Sequence, residues 1–177
     1  MRHEIRLSGS GGQGLITAGI ILARAAVLFD GRNAIQTQSY GPEARGGASK
    51  SEVIISDREI NYPKVRTPDI LVALTQEALN KYIKDIKSDA VVIIDSLLVK
   101  TAPQGGYRVY SIPVLQTAAD RIGSVMTANV VTLGVLNKIC SLVSDEALIK
   151  AVTSMFSAKV TELNIKALKE GAELASS

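Results

Sequence analysis

The sequence predicts an α/β protein with a Rossmann-like, largely parallel sheet, helices on both faces, a β-hairpin excursion and a helical C-terminal end. Continuous apolar runs at 69–74 and 90–95 are typical of strands buried in a parallel sheet, and a helix capped by Thr75 separates them. A strand, a helix and a second strand at this spacing form a right-handed crossover. A glycine-rich loop that joins a strand at 3–8 to a helix at 13–29 supports the same class.

The other elements follow in chain order from periodicity and turn residues. A second strand covers 33–39, and strands at 51–56 and 59–62 flank Asp57-Arg58 as an antiparallel hairpin. A further alternating strand and a short helix begun by Pro113 precede the helical end of the chain. Their predicted ranges are 107–112 and 113–122, followed by helices at 129–142, 144–156 and 161–175. Ser144 is predicted to cap the second of these three helices.

Composition limits the protein to a narrow set of classes. A chain of 177 residues that is 46% apolar and 21% charged predicts one domain over 1–177. The net charge of +3 is spread out, which gives no reason to expect nucleic-acid binding. The apolar run at 15–29 is too short and interrupted for a membrane span and lacks a signal-peptide layout, so a cytoplasmic location is expected.

The single cysteine and the single histidine exclude two kinds of site. With Cys140 alone, the chain can form no internal disulfide and cannot by itself ligate an iron–sulfur cluster. Cys140 is predicted to lie in the core. His3 alone excludes a His-rich metal site and is predicted to be a surface or edge-strand residue.

The first candidate site is the loop Gly9-Ser10-Gly11-Gly12-Gln13-Gly14, which fits G-x-G-x-x-G between a strand and a helix. Glycines there allow a tight turn and a close approach of backbone amides to a phosphate at the helix start. The NAD form also needs an acid at the end of the second strand, but 33–39 contains none; Asp30 precedes that strand and Glu43 follows it. A dinucleotide is therefore disfavoured, and a purely structural glycine turn stays open.

The second candidate site is the loop after the second strand. Its candidate residues are Tyr40, Gly41, Glu43, Arg45, Gly46 and Gly47. Because the carboxyl ends of parallel strands share one edge, both loops are expected to face the same pocket. The guanidinium of Arg45 suits an anion, and Glu43 can orient it or accept a ligand hydroxyl. Alternatively, Glu43 and Arg45 pair only with each other and hold the loop in shape.

Three other features are open to two interpretations each. Asn129, at the start of a predicted helix, is a cap or an amide contact to a ligand or partner. Asp95, at the carboxyl end of a buried strand, is a functional acid or part of a turn. The first helix is apolar on all sides, so it packs on the sheet and is expected to face something else as well, such as a partner subunit or a second copy.

The two loops, with Ser39-Tyr40-Gly41-Pro42-Glu43-Ala44-Arg45-Gly46-Gly47 and the later Asn129-Val130-Val131-Thr132-Leu133-Gly134, carry a resemblance over essentially the whole chain. The chain resembles the gamma subunit of 2-oxoacid:ferredoxin oxidoreductases. The sequence from Thr37 to Gly47 is most similar to that of the 2-oxoglutarate type. The pyruvate, branched-chain 2-oxoacid and indolepyruvate enzymes are close relatives.

The resemblance implies a complex that decarboxylates a 2-oxoacid on thiamine diphosphate with Mg²⁺, passes electrons through iron–sulfur clusters to ferredoxin, and forms an acyl-coenzyme A. It implies alpha, beta and ferredoxin-like delta subunits that hold those cofactors, and a gamma subunit near the path of coenzyme A. By residue, the loop at 9–14 would meet a phosphate of coenzyme A or a neighbouring subunit, and the loop at 40–47 would line the same approach. The alternatives are a free-standing dinucleotide-dependent oxidoreductase and a subunit whose glycine loops only shape an interface.

Overall fold

The computed structural model describes residues 1–39 and 48–176, in which six strands and six α-helices occur. The strands are β1 (Arg2–Ser10), β2 (Asn33–Ser39), β3 (Ala48–Ser56), β4 (Ile70–Ala73), β5 (Val91–Asp95) and β6 (Arg108–Ile112). The helices are α1 (Leu15–Arg24), α2 (Gln76–Tyr82), α3 (Val114–Thr117), α4 (Ala128–Cys140), α5 (Asp145–Met155) and α6 (Ala158–Leu174). π-Helical turns at Ala25–Phe29 and Ala118–Ile122 extend α1 and α3, and 3₁₀ turns at Ile83–Asp85 and Val125–Thr127 follow α2 and precede α4.

The strands form one sheet in the order β2-β3-β1-β4-β5-β6. β1, β4, β5 and β6 are parallel neighbours, whereas β3 is antiparallel to both β1 and β2. The predicted fold class is thus confirmed. Since β1 lies inside the sheet, the prediction of a surface or edge-strand position for His3 is wrong, and His3 is half-buried.

The prediction that strand 51–56 pairs with residues 59–62 in a hairpin is wrong. β3 pairs instead with β2 and β1, and residues 59–62 form no strand. β2 offers seven residues for pairing, and the chain turns out of the sheet after Ser56. The carboxylate of Asp57 fixes that exit because it accepts hydrogen bonds from the Met1 ammonium group (2.6 Å) and from Arg32 Nε (2.8 Å).

Alternation along the strands divides the core into two layers. One face of the sheet carries Ile5, Leu7 and Val53 and is covered by α1 and the C-terminal helices. The other face carries Leu71 and Val92 and is covered by α2. Helices therefore lie on both faces, as the sequence predicts, with most of the helical mass on one of them.

Contacts with other elements of the same chain cover most of the apolar surface of α1. The helix packs on β3 and β2 with one side and on α4 and α5 with another. Consequently most of the surface that the sequence assigned to a partner is covered by the C-terminal helices. The residues that stay exposed are Val27, Leu28 and Phe29, in the π-helical turn that ends the helix.

Two predicted caps are present as hydrogen bonds. Thr75 accepts from the amide of Ala78 (3.2 Å) at the start of α2, and Ser144 accepts from the amide of Ala147 (3.1 Å) at the start of α5. No helix in the described part of the chain is long and apolar enough to cross a membrane.

Candidate functional site

The glycine-rich loop lies where the connections from two adjacent parallel strands diverge. β1 leads through the loop at 9–14 to α1 on one face of the sheet, and its neighbour β4 leads through Thr75 to α2 on the other face. The two strands stay paired to their ends, where the amide of Leu74 donates to the carbonyl oxygen of Ser8 (3.0 Å). Such a divergence opens a crevice beyond the carboxyl ends of the strands, which is the usual ligand position in open α/β sheets.

Several groups of the loop hydrogen-bond or pack within the loop itself. The Gln13 side chain folds back, and its Oε1 accepts from the amide of Ser10 (2.8 Å). That same oxygen and Leu15 Cδ1 fill the space in which a side chain at Gly9 would lie. Gly9, the Ser10 amide and Gln13 therefore shape the loop, and the Ser10 amide does not point freely toward an anion.

Gly14 joins the loop to a second helix. It has a left-handed conformation (φ 72°), and its carbonyl oxygen accepts from Nδ2 of Asn129 (3.2 Å). Asn129 is the second residue of α4 and does not cap it, since Thr127 holds the cap position; the interpretation as a cap is wrong. The amide group instead fastens the start of α4 to the start of α1, a contact within the chain.

The tip of the loop, Gly11 and Gly12, is the part left open. Both residues are exposed, and Cβ atoms built on them would meet no heavy atom of the described residues within 4 Å. Gly12 has a positive φ of 90°, which favours glycine. The tip borders the amino end of α1, where the amides of the first turn have no partners inside the helix. The hydrogen bond from Asn129 brings the amino end of α4 to the same place. Both helix dipoles favour an anion there.

The second loop falls outside the described residues, so the structure says nothing of Tyr40, Gly41, Glu43, Arg45, Gly46 and Gly47. Its two ends are described. Ser39 is paired with Lys50, and Ala48 is paired with Ser10 at the end of β1. The chain thus leaves β2 and enters β3 at the same edge of the sheet as the glycine-rich loop, and a shared pocket stays a prediction.

The remaining candidate acid and thiol have structural roles. The Asp95 carboxylate is fully buried and accepts from the amides of Leu97 (2.9 Å), Leu98 (3.0 Å) and Leu115 (2.9 Å). It therefore forms the turn after β5 and holds the start of α3. Burial raises the pKa of the Cys140 thiol to about 11, so the thiol is protonated at neutral pH and is no nucleophile. Burial also lowers the pKa of His3.

Sequence reasoning missed an exposed apolar pair beside the loop. Val125 and Met126 are 57% and 82% exposed in the 3₁₀ turn that precedes α4. Met126 lies about one helical turn before Asn129, which contacts Gly14. The pair therefore directly precedes the helix start that Asn129 joins to the loop. The sequence gives no periodic signal for this pair because the turn is too short.

A buried ionic cluster was also missed. Arg6 Nε donates to Glu52 Oε1 (2.7 Å), Lys50 Nζ approaches the same oxygen (3.1 Å), and the Tyr82 ring lies 5.4 Å from the Arg6 guanidinium carbon. The cluster lies under α2, between β1 and β3. The available signal was a charged residue next to apolar strand positions, Arg6 between Ile5 and Leu7 and Glu52 directly before the apolar run at 53–55.

A groove along α6 does not coincide with the loop. It has a volume of about 540 Å³ and runs along α6, where Lys159, Lys166 and Lys169 line it. All of its lining residues belong to that one helix, so it lacks a second wall, and we place the candidate site at the crevice instead. The described residues contain no group of three or more His, Cys, Asp or Glu side chains arranged to hold a metal ion.

A family model described as pyruvate ferredoxin/flavodoxin oxidoreductase matches residues 4–174. The 2-oxoglutarate synthase subunit KorC of Methanocaldococcus jannaschii is 51% identical over 177 residues, which cover 99% of this chain and 95% of that protein. The pyruvate synthase subunit PorC of the same organism is 33% identical over 168 residues, covering 93% and 92%.

Two solved structures show the same fold. The gamma subunit of a keto/oxoacid ferredoxin oxidoreductase from Geobacter sulfurreducens superimposes with a TM-score of 0.92 at 48% identity, covering 99% of this chain and 97% of that one. A 2-oxoglutarate:ferredoxin oxidoreductase from Magnetococcus marinus, with 2-oxoglutarate, coenzyme A and succinyl-CoA bound, gives a TM-score of 0.84 at 25% identity. This chain corresponds to 31% of that larger chain. The resemblance inferred from the two loops is confirmed.

Proposed function

The chain belongs to the pyruvate ferredoxin/flavodoxin oxidoreductase family, and we propose that it is the gamma subunit of a 2-oxoglutarate:ferredoxin oxidoreductase. The observation that carries the proposal is the 51% identity to a 2-oxoglutarate synthase subunit over nearly the full length of both chains. The free-standing dinucleotide enzyme loses support, because an antiparallel strand, β3, separates β1 from β2, and β2 carries no acid for a ribose.

The complex converts a 2-oxoacid and coenzyme A to an acyl-coenzyme A and CO₂, and the electrons released reduce ferredoxin. Thiamine diphosphate with Mg²⁺ supplies the decarboxylation chemistry, and iron–sulfur clusters carry the electrons; we assign these groups to the alpha, beta and delta subunits in a cytoplasmic complex. The single cysteine of this chain fits that assignment, since a cluster needs several thiolates. The isolated chain is expected to be inactive.

We assign the crevice at the glycine-rich loop to coenzyme A. Gly11 and Gly12 leave room for a phosphate against the amino ends of α1 and α4, and the exposed Val125 and Met126 suit the less polar part of the same molecule. Tyr40, Glu43, Arg45, Gly46 and Gly47 are proposed to complete the site from the second loop. This chain then binds and orients the acyl acceptor, while the reacting carbon is held by other subunits.

The assembled complex provides the test of this assignment. Gly11→Glu places a carboxylate in open space, so it should leave folding intact and repel a bound phosphate. We expect KM for coenzyme A to rise by about tenfold or more, equivalent to about 1.4 kcal/mol, with an unchanged KM for the 2-oxoacid. Gln104→Glu adds the same charge in an exposed turn before β6, at the opposite edge of the sheet, and is the matched control.

Each alternative predicts a different result. An unchanged KM for coenzyme A in the Gly11→Glu complex would remove the coenzyme A assignment, and loss of assembly instead would favour a purely structural interface. The substrate is tested separately by co-expressing the chain with its partner subunits and comparing ferredoxin reduction with 2-oxoglutarate and pyruvate. Calorimetric binding of NAD or FAD by the isolated chain would contradict the subunit assignment.

A further inference from the structure

The edge strand β2 carries, among its own seven residues, none of the charges or prolines that often prevent strand edges from pairing. On one side it is bonded to β3, and within the described residues no strand lies on its other side. Its seven residues, Asn-Ala-Ile-Gln-Thr-Gln-Ser, include no charge and no proline. Natural proteins protect exposed edges with charges, prolines, bulges or short strands. β6, at the opposite end of the sheet, has five residues and carries the exposed Arg108.

An incompletely buried apolar stripe runs along α1 beside this edge. Ile16, Ile20, Ala23 and Val27 recur at intervals of four, three and four residues, which places them on one side of the helix. The first three are half-buried, and Val27 is 44% exposed. Gly19, which lies against Ser51 of β3, is about 70° around the helix from this stripe at 100° per residue.

The packing of α1 determines the direction in which the stripe faces. The helix contacts β3 and β2, and α4 and α5 cover another of its sides. We place the stripe on the remaining side, toward the open edge of the sheet. Arg24, next to the stripe, has a buried Nε atom with no acceptor in the described part of the chain. Buried donors are usually paired, so this position calls for an acceptor that the described residues do not supply.

We propose that a second copy of this chain pairs with β2, antiparallel and about a two-fold axis at Gln36, so that the two sheets become one. With the axis there, Ile35 lies opposite Thr37 of the second copy and all seven residues find partners. The neutral strand brings no like charges together.

The same axis also buries the apolar stripe of α1. A two-fold axis perpendicular to the sheet keeps both α1 helices on one face, and their apolar stripes then meet each other. Isologous contact of this kind requires a surface that complements itself, and both the uncharged strand and the apolar stripe satisfy that condition. The proposal does not rest on the coenzyme A assignment, because it uses β2 and the stripe of α1 and not the loop tip at Gly11 and Gly12.

Sedimentation equilibrium of the full-length chain tests the dimer. The wild-type chain should associate to a dimer, and Ile20→Lys should raise the dissociation constant at least about tenfold because two ammonium groups would face each other across the axis. Val160→Lys, at an exposed apolar position of α6, is the control and should leave the dissociation constant unchanged. A wild-type chain that stays monomeric, or equal effects of the two lysines, would overturn the proposal.

Cross-linking tests the axis itself. In a Cys140→Ala background, Gln36→Cys should give a disulfide-linked dimer on oxidation, because residues directly opposed in antiparallel strands lie within the Cα separation that a disulfide spans. Ser111→Cys, on the exposed edge of β6, should not. Cross-linking through Ser111→Cys alone would contradict the proposal, as would a link from Gln36→Cys to a different subunit in the assembled complex.

Discussion

Gly14 combines a left-handed backbone with a close neighbour, and its substitution should be costly for both reasons. At φ 72°, any other residue is strained by about 1–2 kcal/mol, and a Cβ there would lie 2.8 Å from Asn129 Nδ2. We expect Gly14→Ala to lower the free energy of unfolding by about 2–3 kcal/mol, measured by urea denaturation. The loss would also weaken the link between α1 and α4.

Gly31 is the matched control for Gly14. It too has a positive φ (64°), but a Cβ at that position would meet nothing within 4 Å. Gly31→Ala should therefore cost only the backbone strain, about 1 kcal/mol. Equal losses for the two variants would show that the contact with Asn129 contributes nothing.

Cys140 should make stability depend on alkaline pH. Burial raises the pKa of its thiol from the ordinary 9.0 to about 11, so the folded protein resists ionisation of a group that ionises more readily when unfolded. The stabilisation is present below pH 9 and is lost as the pH rises toward 11. We expect the difference in unfolding free energy between the wild type and Cys140→Ala to shift between pH 8 and pH 11, in favour of the variant. A difference that does not vary with pH would refute the inference.

Residue roles were predictable from the sequence mainly where local chain geometry decides them. The G-x-G-x-x-G spacing identified Gly14 and the helix start, and Thr75 and Ser144 were recognised as caps because a cap acts within three residues. The bond from Asn129 to Gly14 spans 115 residues, and no local pattern encodes it. Asp95 was ambiguous because its choice of partners depends on where α3 packs.

At the scale of elements, the buried pair Arg6–Glu52 holds β1 to β3 beneath α2, and breaking one side of it should be severe. Their side chains are only 5% and 10% exposed. Glu52→Gln leaves Arg6 buried without a carboxylate, which typically costs about 3–5 kcal/mol. We expect a loss of that size in urea denaturation. The double variant Arg6→Met/Glu52→Leu should recover most of it, because the charge that remains, on Lys50, belongs to a side chain that is 26% exposed and can be solvated.

An exposed pair of the same charge type serves as the comparison. Glu146 and Lys150 lie one turn apart on α5 with a 2.6 Å contact, and both are exposed. Glu146→Gln should change the unfolding free energy by no more than about 0.5 kcal/mol. A loss as large as that of Glu52→Gln would show that burial is not the cause.

The elements themselves were predictable from periodicity, but the pairing of β3 was not. Its apolar residues identified a strand, and the turn at Asp57-Arg58 suggested that residues 59–62 were its partner. The actual partners are β2, the preceding strand, and β1, which is remote in sequence. Strand pairing depends on which edges are available in three dimensions, and local turn residues do not reveal that.

At the scale of the whole molecule, the contact between α4 and α6 fixes the C-terminal helices to the rest of the fold. A Cβ at Gly134 would run into the carbonyl oxygen of Leu168 and lie 3.0 Å from the amide of Ala172, both in the α6 backbone. Helix propensity alone would make Gly134→Ala stabilising by about 1 kcal/mol. We expect the opposite sign, a loss of about 1–3 kcal/mol in thermal or chemical unfolding.

Ser154→Ala, on the exposed side of α5, is the helical control and should change stability by no more than about 0.5 kcal/mol. Gly171→Ala should resemble Gly134→Ala, because its Cβ would meet the backbone at Val131 of α4. The double variant should lose less than the two single losses added together, since one separation of the helices relieves both contacts. A stabilised Gly134→Ala chain would contradict the close packing.

The fold class and the position of the first loop were thus predictable, and the family resemblance rested on short motifs. The strand order was not, because the insertion of β3 between β1 and β2 leaves no mark on the periodicity of either strand. Six of the thirteen candidate site residues lie in the loop outside the described residues, and their roles stay predictions. They are Tyr40, Gly41, Glu43, Arg45, Gly46 and Gly47.

The central position of β1 has a consequence for synthesis on the ribosome. β1 is translated before both of its neighbours, β3 and β4, and its Arg6 pairs with Glu52, 46 residues later. At roughly 5–20 residues per second, the apolar residues Ile5 and Leu7 wait several seconds for a partner. We therefore expect β1, during synthesis, to be bound by a chaperone that recognises extended apolar segments.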